Sequence, residues 1–155
     1  MQGNDEIIAS LNKLLASEFA AIHQYSAHRA TVENWGYKRL VGYLDERIED
    51  ERKHAKALLD RIAWLGGKAE VDKLAPITVA DEVDAMARAD REAEKTAILA
   101  YNKAIELACA KGDDGTRAVL EANLTDEEDH IRDLDAELKQ IEQQTLGNFL
   151  SANMG

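Results

Sequence analysis

The sequence has one cysteine, Cys109, and one proline, Pro76, in 155 residues, and only 5% of it is aromatic. A lone thiol forms no internal disulfide, which excludes a disulfide scaffold and suits a reducing compartment. Scarce proline removes the strongest interruption of helices. No apolar run approaches the ~18 residues of a membrane span. The opening Met1-Gln2-Gly3-Asn4-Asp5-Glu6 has neither the basic nor the apolar segment of an export signal. The expectation is a cytoplasmic protein without a membrane partner. Positive charge is also in the minority: 19 Lys and Arg against 30 Asp and Glu give a net charge of −11. That balance disfavours nucleic acid and anionic lipid and favours cations or basic partners. What is present, 45% apolar and 32% charged, fits one soluble globular domain over residues 1–155.

Apolar spacing resolves four long helices. Asn4 caps the first, Asp5 and Glu6 fill its opening turn, and Ile7, Ile8, Leu11, Leu14, Leu15, Phe19 and Ile22 form its stripe up to Trp35-Gly36. The second, from about Tyr37 to Leu65, carries Leu40, Leu44, Ile48, Ala55, Leu58 and Ile62 and stops at Gly66-Gly67. The third begins near Asp81 and follows Val83, Ala87, Ala97, Ile98, Tyr101, Ile105 and Ala108 to the breakers at 111–115. The fourth alternates by threes and fours at Leu120, Leu124, Ile131, Leu134, Leu138 and Ile141. After Gly147 a short piece, 148–154, makes a further turn or two. Helices of about 28 residues are about 42 Å long. The aperiodic stretch 66–82, at up to ~3.4 Å per residue, can run that whole length. Helices two and three are then parallel, giving an all-α four-helix bundle with one long crossover and a short fifth helix. An up-down-up-down bundle with a floppy loop gives the same pattern.

Carboxylates interrupt the apolar stripes. Glu18 follows Leu14 and Leu15 on the buried face of helix one. Glu51 lies between Ile48 and Leu58, with His54 one turn on; Glu94 lies seven residues after Ala87 and seven before Tyr101; Glu127 lies between Leu124 and Ile131, with His130 at i+3. Glu18, Glu51 and His54 recur as Glu94, Glu127 and His130 at a constant offset of 76. Four ionised carboxylates in an apolar core cost many kcal/mol unless they take up protons or cations. Two divalent ions balance four glutamates and leave two neutral imidazoles to complete the set. Oxygen-rich ligation with one nitrogen per ion suits iron or manganese better than tetrahedral zinc. One Glu from each of two helices and Glu-x-x-His from each of the other two is the ligand pattern of ferritin-like di-iron bundles.

With these six residues in place, the whole chain resembles the bacterioferritins, also at Leu11-Asn12-Lys13-Leu14-Leu15, Gln24-Tyr25, Asn34-Trp35-Gly36, Lys53-His54-Ala55 and Asn148-Phe149-Leu150. The resemblance implies a hollow shell of about 24 subunits, oxidation of ferrous iron at a di-iron centre by O2 or H2O2, and storage of ferric mineral. It implies that Glu51 and Glu127 bridge the metals, with Glu18 and His54 on one and Glu94 and His130 on the other. It makes Tyr25 a redox-active tyrosine beside the centre, a position where core packing is the ordinary reading. A ferredoxin-type electron donor for iron release belongs to the same picture. Two positions depart from the family. Where its haem-ligating methionine stands this chain has Arg52, and Met1, Met86 and Met154 are the only methionines. No haem is therefore expected in a homomer, although a haem-binding paralogue in a mixed shell would supply one ligand. The inner-surface iron site falls on Glu46 and Asp50, in place of a His and an Asp.

Two further functions compete with iron storage: a small di-iron oxidase or peroxidase without storage, and a helical scaffold with a vestigial site. The cluster Asp126-Glu127-Glu128-Asp129 reads as a solvated helix edge with only Glu127 inward. Cys109, on a small-residue face, reads as buried packing.

Overall fold

The computed structural model describes residues 2–155; Met1, one of the three methionines, lies outside them. Five helices follow in order: α1 (Asp5–Asn34), α2 (Lys38–Trp64), α3 (Val83–Ala110), α4 (Asp114–Gln144) and α5 (Leu146–Ala152). Asn4 caps α1, its side chain accepting from Glu6 N at 2.8 Å and Ile7 N at 3.3 Å. Gly36, at φ 88°, makes the turn into α2 in a conformation that β-carbon-bearing residues avoid. Two boundaries move against expectation: the third helix starts at Val83, because Asp81 and Glu82 are taken up by the end of the crossover, and the fifth starts at Leu146, so that Gly147 lies inside it.

Cross-helix bonds fix the direction of each helix. Tyr25 meets Glu94 and Tyr101 meets Glu18, so α1 and α3 are antiparallel. Arg61 meets Asp113, and Asp50 meets His130, so α2 and α4 are antiparallel too. The Gly36 turn makes α2 antiparallel to α1, hence parallel to α3. This is the ferritin-like order with one long crossover, not the up-down-up-down bundle.

The crossover is pinned along α1 rather than floppy. Asn12 receives the Glu70 N–H at 2.8 Å and donates to the Lys68 carbonyl at 3.0 Å; Ala75 N donates to Ala16 O at 3.1 Å; Thr78 N donates to Gln24 Oε1 and Ala80 N to His28 Nε2, each at 3.0 Å. These bonds satisfy backbone groups that no helix or sheet ladder serves.

The core is split in two. One apolar cluster is built on Leu11, Leu14, Leu15, Leu58, Ile62, Tyr101 and Leu120, the other on Tyr25, Val32, Leu44, Ile48, Met86, Ile141 and Phe149. Between them lies a layer of buried glutamates and histidines. Cys109 corrects its expectation: it is exposed, because it sits one step, about 100° of helix rotation, past the buried Ala108.

Candidate metal centre

Glu18, Glu51, His54, Glu94, Glu127 and His130 are each no more than 2% exposed, and all six come together in the layer between the two apolar clusters. Their donor atoms form two overlapping tetrads. Glu18, Glu51, His54 and Glu127 make one, and Glu51, Glu94, Glu127 and His130 the other, with the atoms of each tetrad within 4.8 Å of one another. Glu51 and Glu127 belong to both. His54 Nδ1 lies 2.6 Å from Glu127, 3.3 Å from Glu51 and 3.7 Å from Glu18. His130 Nδ1 lies 3.1 Å from Glu51, 3.3 Å from Glu94 and 3.8 Å from Glu127. Both rings thus turn the same nitrogen inward.

Each outer nitrogen is held from across the bundle. His54 Nε2 is 2.9 Å from Asp126, and His130 Nε2 is 3.0 Å from Asp50. A carboxylate on the far nitrogen fixes the ring's tautomer and orientation and frees Nδ1 to act as a ligand. Asp50 also accepts from Arg47 at 3.2 Å, and Arg47 reaches on to Asp133 at 2.5 Å. Of the pair expected as an inner-surface site, Asp50 is therefore engaged by Arg47 and His130, while Glu46 is exposed. Arg52 is exposed on the outward side of α2. Tyr25, 2% exposed, donates its hydroxyl to Glu94 Oε1 at 2.6 Å.

The cluster's electrostatics are those of crowded, buried carboxylates that call for protons or cations. Burial, then the nearby Glu18 carboxylate, pushes Glu51 well above the ordinary carboxyl range; burial, then Glu51, does the same to Glu127. Burial also acts to raise Glu94, but hydrogen bonds with Glu127, His130 and Tyr25 outweigh it and hold Glu94 low. His54 and His130 are both raised: burial works against their charge, and the facing carboxylates, Glu127 first for His54 and Glu94 first for His130, overcome it. Glu18 Oε2 and Glu94 Oε2 are buried without a hydrogen-bond partner, and Glu127 Oε1 and Glu51 Oε1, buried too, face only the inward nitrogens of His54 and His130, out of line for a hydrogen bond. Four buried carboxylate oxygens converging with two inward imidazole nitrogens fit two hard-to-borderline divalent cations.

A groove of about 560 Å³ between α1, α3 and the crossover leads to Glu18, Glu51, Glu94 and Glu127. Small side chains open it: Ala20 and Ala21 from α1, Ala93 and Ala97 from α3.

The reading by spacing missed the two aspartates and Tyr101, whose hydroxyl donates to Glu18 Oε1 at 2.6 Å. The signal was there. The offset of 76 that relates the six cluster residues also relates Asp50 to Asp126 and Tyr25 to Tyr101.

The ferritin-like domain pattern matches residues 8–144. A bacterioferritin of Streptomyces coelicolor is 38% identical over 151 residues, covering 97% of this chain and 90% of that protein. A bacterial ferritin of Pseudomonas aeruginosa is 38% identical over 157 residues, covering 99% and 100%. A bacterioferritin of Mycolicibacterium paratuberculosis is 33% identical over 139 residues, covering 90% and 87%. Matches of this length, on a bundle with this topology and this buried layer, place the chain in the ferritin-like family, among the bacterioferritins.

Proposed function

We propose that this protein stores and detoxifies iron: it takes Fe²⁺ as substrate, oxidises it in the buried layer with O2 or H2O2, and keeps the ferric product as mineral inside a shell. The observation that carries this reading is the set of four buried carboxylate oxygens, one from each long helix, without aligned hydrogen bonds. Glu51 and Glu127 bridge the two positions; Glu18 and His54 complete one, Glu94 and His130 the other. Iron bound there supplies the redox chemistry, each Fe²⁺ giving one electron to the oxidant. The side chains do the rest. His54 and His130 give up their Nδ1 protons as cations arrive, and Asp126 and Asp50 keep the rings aimed. Tyr25, hydrogen-bonded to Glu94, is the redox-active tyrosine in this reading, and the groove between α1 and α3 is the way in.

In this reading residues 1–155 form one cytoplasmic domain that assembles into a closed shell of about 24 copies. Exposed apolar side chains support assembly: Val71, Leu74, Ile77 and Val79 follow one another along the crossover, and Trp64 stands out at the end of α2. A homomer binds no haem by the family's methionine pair, because Arg52, which stands at that position, has no lone pair to give iron and Met86 is buried in the core. A haem-binding paralogue in a mixed shell and a ferredoxin-type donor for iron release complete the set of partners. Glu46 and Asp50 remain the candidate inner-surface iron site, with oxygen ligands only.

The size of the groove favours a second reading, a small di-iron oxidase or peroxidase acting on a substrate that reaches the glutamates directly. Native mass and iron content after aerobic Fe²⁺ loading separate the two. Storage predicts a particle of about 24 chains of 17.2 kDa holding far more iron than its ligands can bind. A monomer or dimer retaining only ligand-bound iron would sink storage and leave the oxidase.

A further inference from the structure

Tyr101 stands in relation to Glu18 as Tyr25 does to Glu94. Each tyrosine hydroxyl donates to the Oε1 atom of a glutamate on the antiparallel neighbour, and both bonds measure 2.6 Å. In both glutamates the second oxygen, Oε2, is the buried atom without a partner. Tyr101 has an anchor of its own. Asn123 Nδ2, from α4, donates to its hydroxyl oxygen at 3.1 Å and reaches the His54 carbonyl at 3.4 Å. A hydroxyl that already accepts an N–H directs its one proton elsewhere, and the acceptor in reach is Glu18. Tyr101 is fully buried and Asn123 is 5% exposed, so water does not compete for either bond.

We infer that Tyr101 is the positioning residue for the cation position formed by Glu18, Glu51, His54 and Glu127, an inference that rests on reading the buried layer as a pair of cation positions. Its hydroxyl occupies Oε1, fixes the Glu18 carboxylate plane, and leaves Oε2 as the only oxygen free to ligate. At the other position Tyr25 bonds to Glu94 Oε1, the oxygen that also lies 3.3 Å from His130 Nδ1, whereas at Glu18 the oxygen facing His54 is Oε2, the one that Tyr101 leaves free. Each position therefore has a tyrosine on its outer glutamate, one from each half of the 76-residue repeat. Without the Tyr101 hydroxyl, Glu18 can rotate and offer either oxygen, and the first position loses a preorganised ligand while the second keeps its own.

Co²⁺, which is not oxidised on binding and whose visible absorption reports its ligands, is the probe. The whole protein is titrated without oxygen as the parent, Tyr101→Phe, Tyr25→Phe and Asn123→Ala, with helix content followed by circular dichroism. The parent takes two equivalents. Tyr101→Phe weakens one equivalent by roughly 10- to 100-fold, the usual effect of losing an outer-shell partner, and changes the absorption of that equivalent alone. Tyr25→Phe weakens the other, and Asn123→Ala acts in the same direction as Tyr101→Phe with a smaller loss. Two unchanged equivalents in Tyr101→Phe, or equal weakening of both, overturn the positioning role, the latter marking simple packing. If Tyr101→Phe loses its helices, Asn123→Ala decides, and an unchanged titration there overturns the inference. A parent that takes up no Co²⁺ contradicts the cation-site reading itself, a result distinct from any of these.

Discussion

Glu137, outside the metal cluster, sits in a setting that works against its charge. Burial, with the Asp90 carboxylate beside it, pushes its pKa up to about 7, against ~4.3 for an unfolded glutamate. Between those two values the folded chain holds a proton that the unfolded chain has released. Stability is therefore lost as pH rises through that window, and below it the residue costs nothing. Glu137→Gln should stabilise the protein by about 1 to 3 kcal/mol at about pH 8 and by little near pH 4, read from urea unfolding at both. An equal effect at the two pH values would show that the charge is not what matters. The inward direction of Glu18, Glu51, Glu94 and Glu127 was legible because helical spacing reports one face of one helix. Their partners were not. Asp50 and Asp126 sit on half-exposed or exposed helix edges, and only the register between α2 and α4 brings each to the other helix's histidine. Tyr101 fits an apolar stripe so well that its hydroxyl went unread. Cys109 failed for the opposite reason, since a small-residue face blurs where burial ends.

Among the helices, the junction of α4 and α5 is strained. Thr145, at φ 69° and ψ 154°, occupies a region that glycine alone adopts freely, and it is the only described non-glycine residue with positive φ. Phe149, 4% exposed in the second apolar cluster, and the bond from Arg39 N to Asn153 O at 3.3 Å hold α5 down and keep the junction in place. Thr145→Gly relieves a cost of about 1 to 3 kcal/mol and adds back some unfolded-state entropy, for a net gain of about 1 kcal/mol. Thermal unfolding should show a higher midpoint for this variant; a lower one would mean that the threonine side chain makes a contact worth more than the strain. The long helices were readable because an apolar stripe from Ile7 to Ile22, a capping asparagine and the absence of a breaker before Gly36 leave little choice. The direction of α2 and α3 was not decided by sequence, since a loop long enough to cross the bundle is also long enough to hang free. What decides it is side-chain chemistry within α1: Asn12, Gln24 and His28 each take a crossover N–H.

At the scale of the whole molecule, the bundle gives up a continuous core. Two apolar clusters supply the burial that holds four helices together, and the layer between them concentrates four carboxylates that repel one another in low dielectric. A layer of that kind is stable when cations or protons fill it, so a cation bound there would add to the stability of the fold. Rapid mixing of the protein with Fe²⁺ and O2 tests this account most directly. The parent should show a fast oxidation phase whose amplitude saturates at two Fe²⁺ per chain, and Glu94→Ala and His130→Ala, with helices intact, should lose it. A fast phase that persists unchanged in both variants would contradict the assignment of the buried layer as the site of iron oxidation.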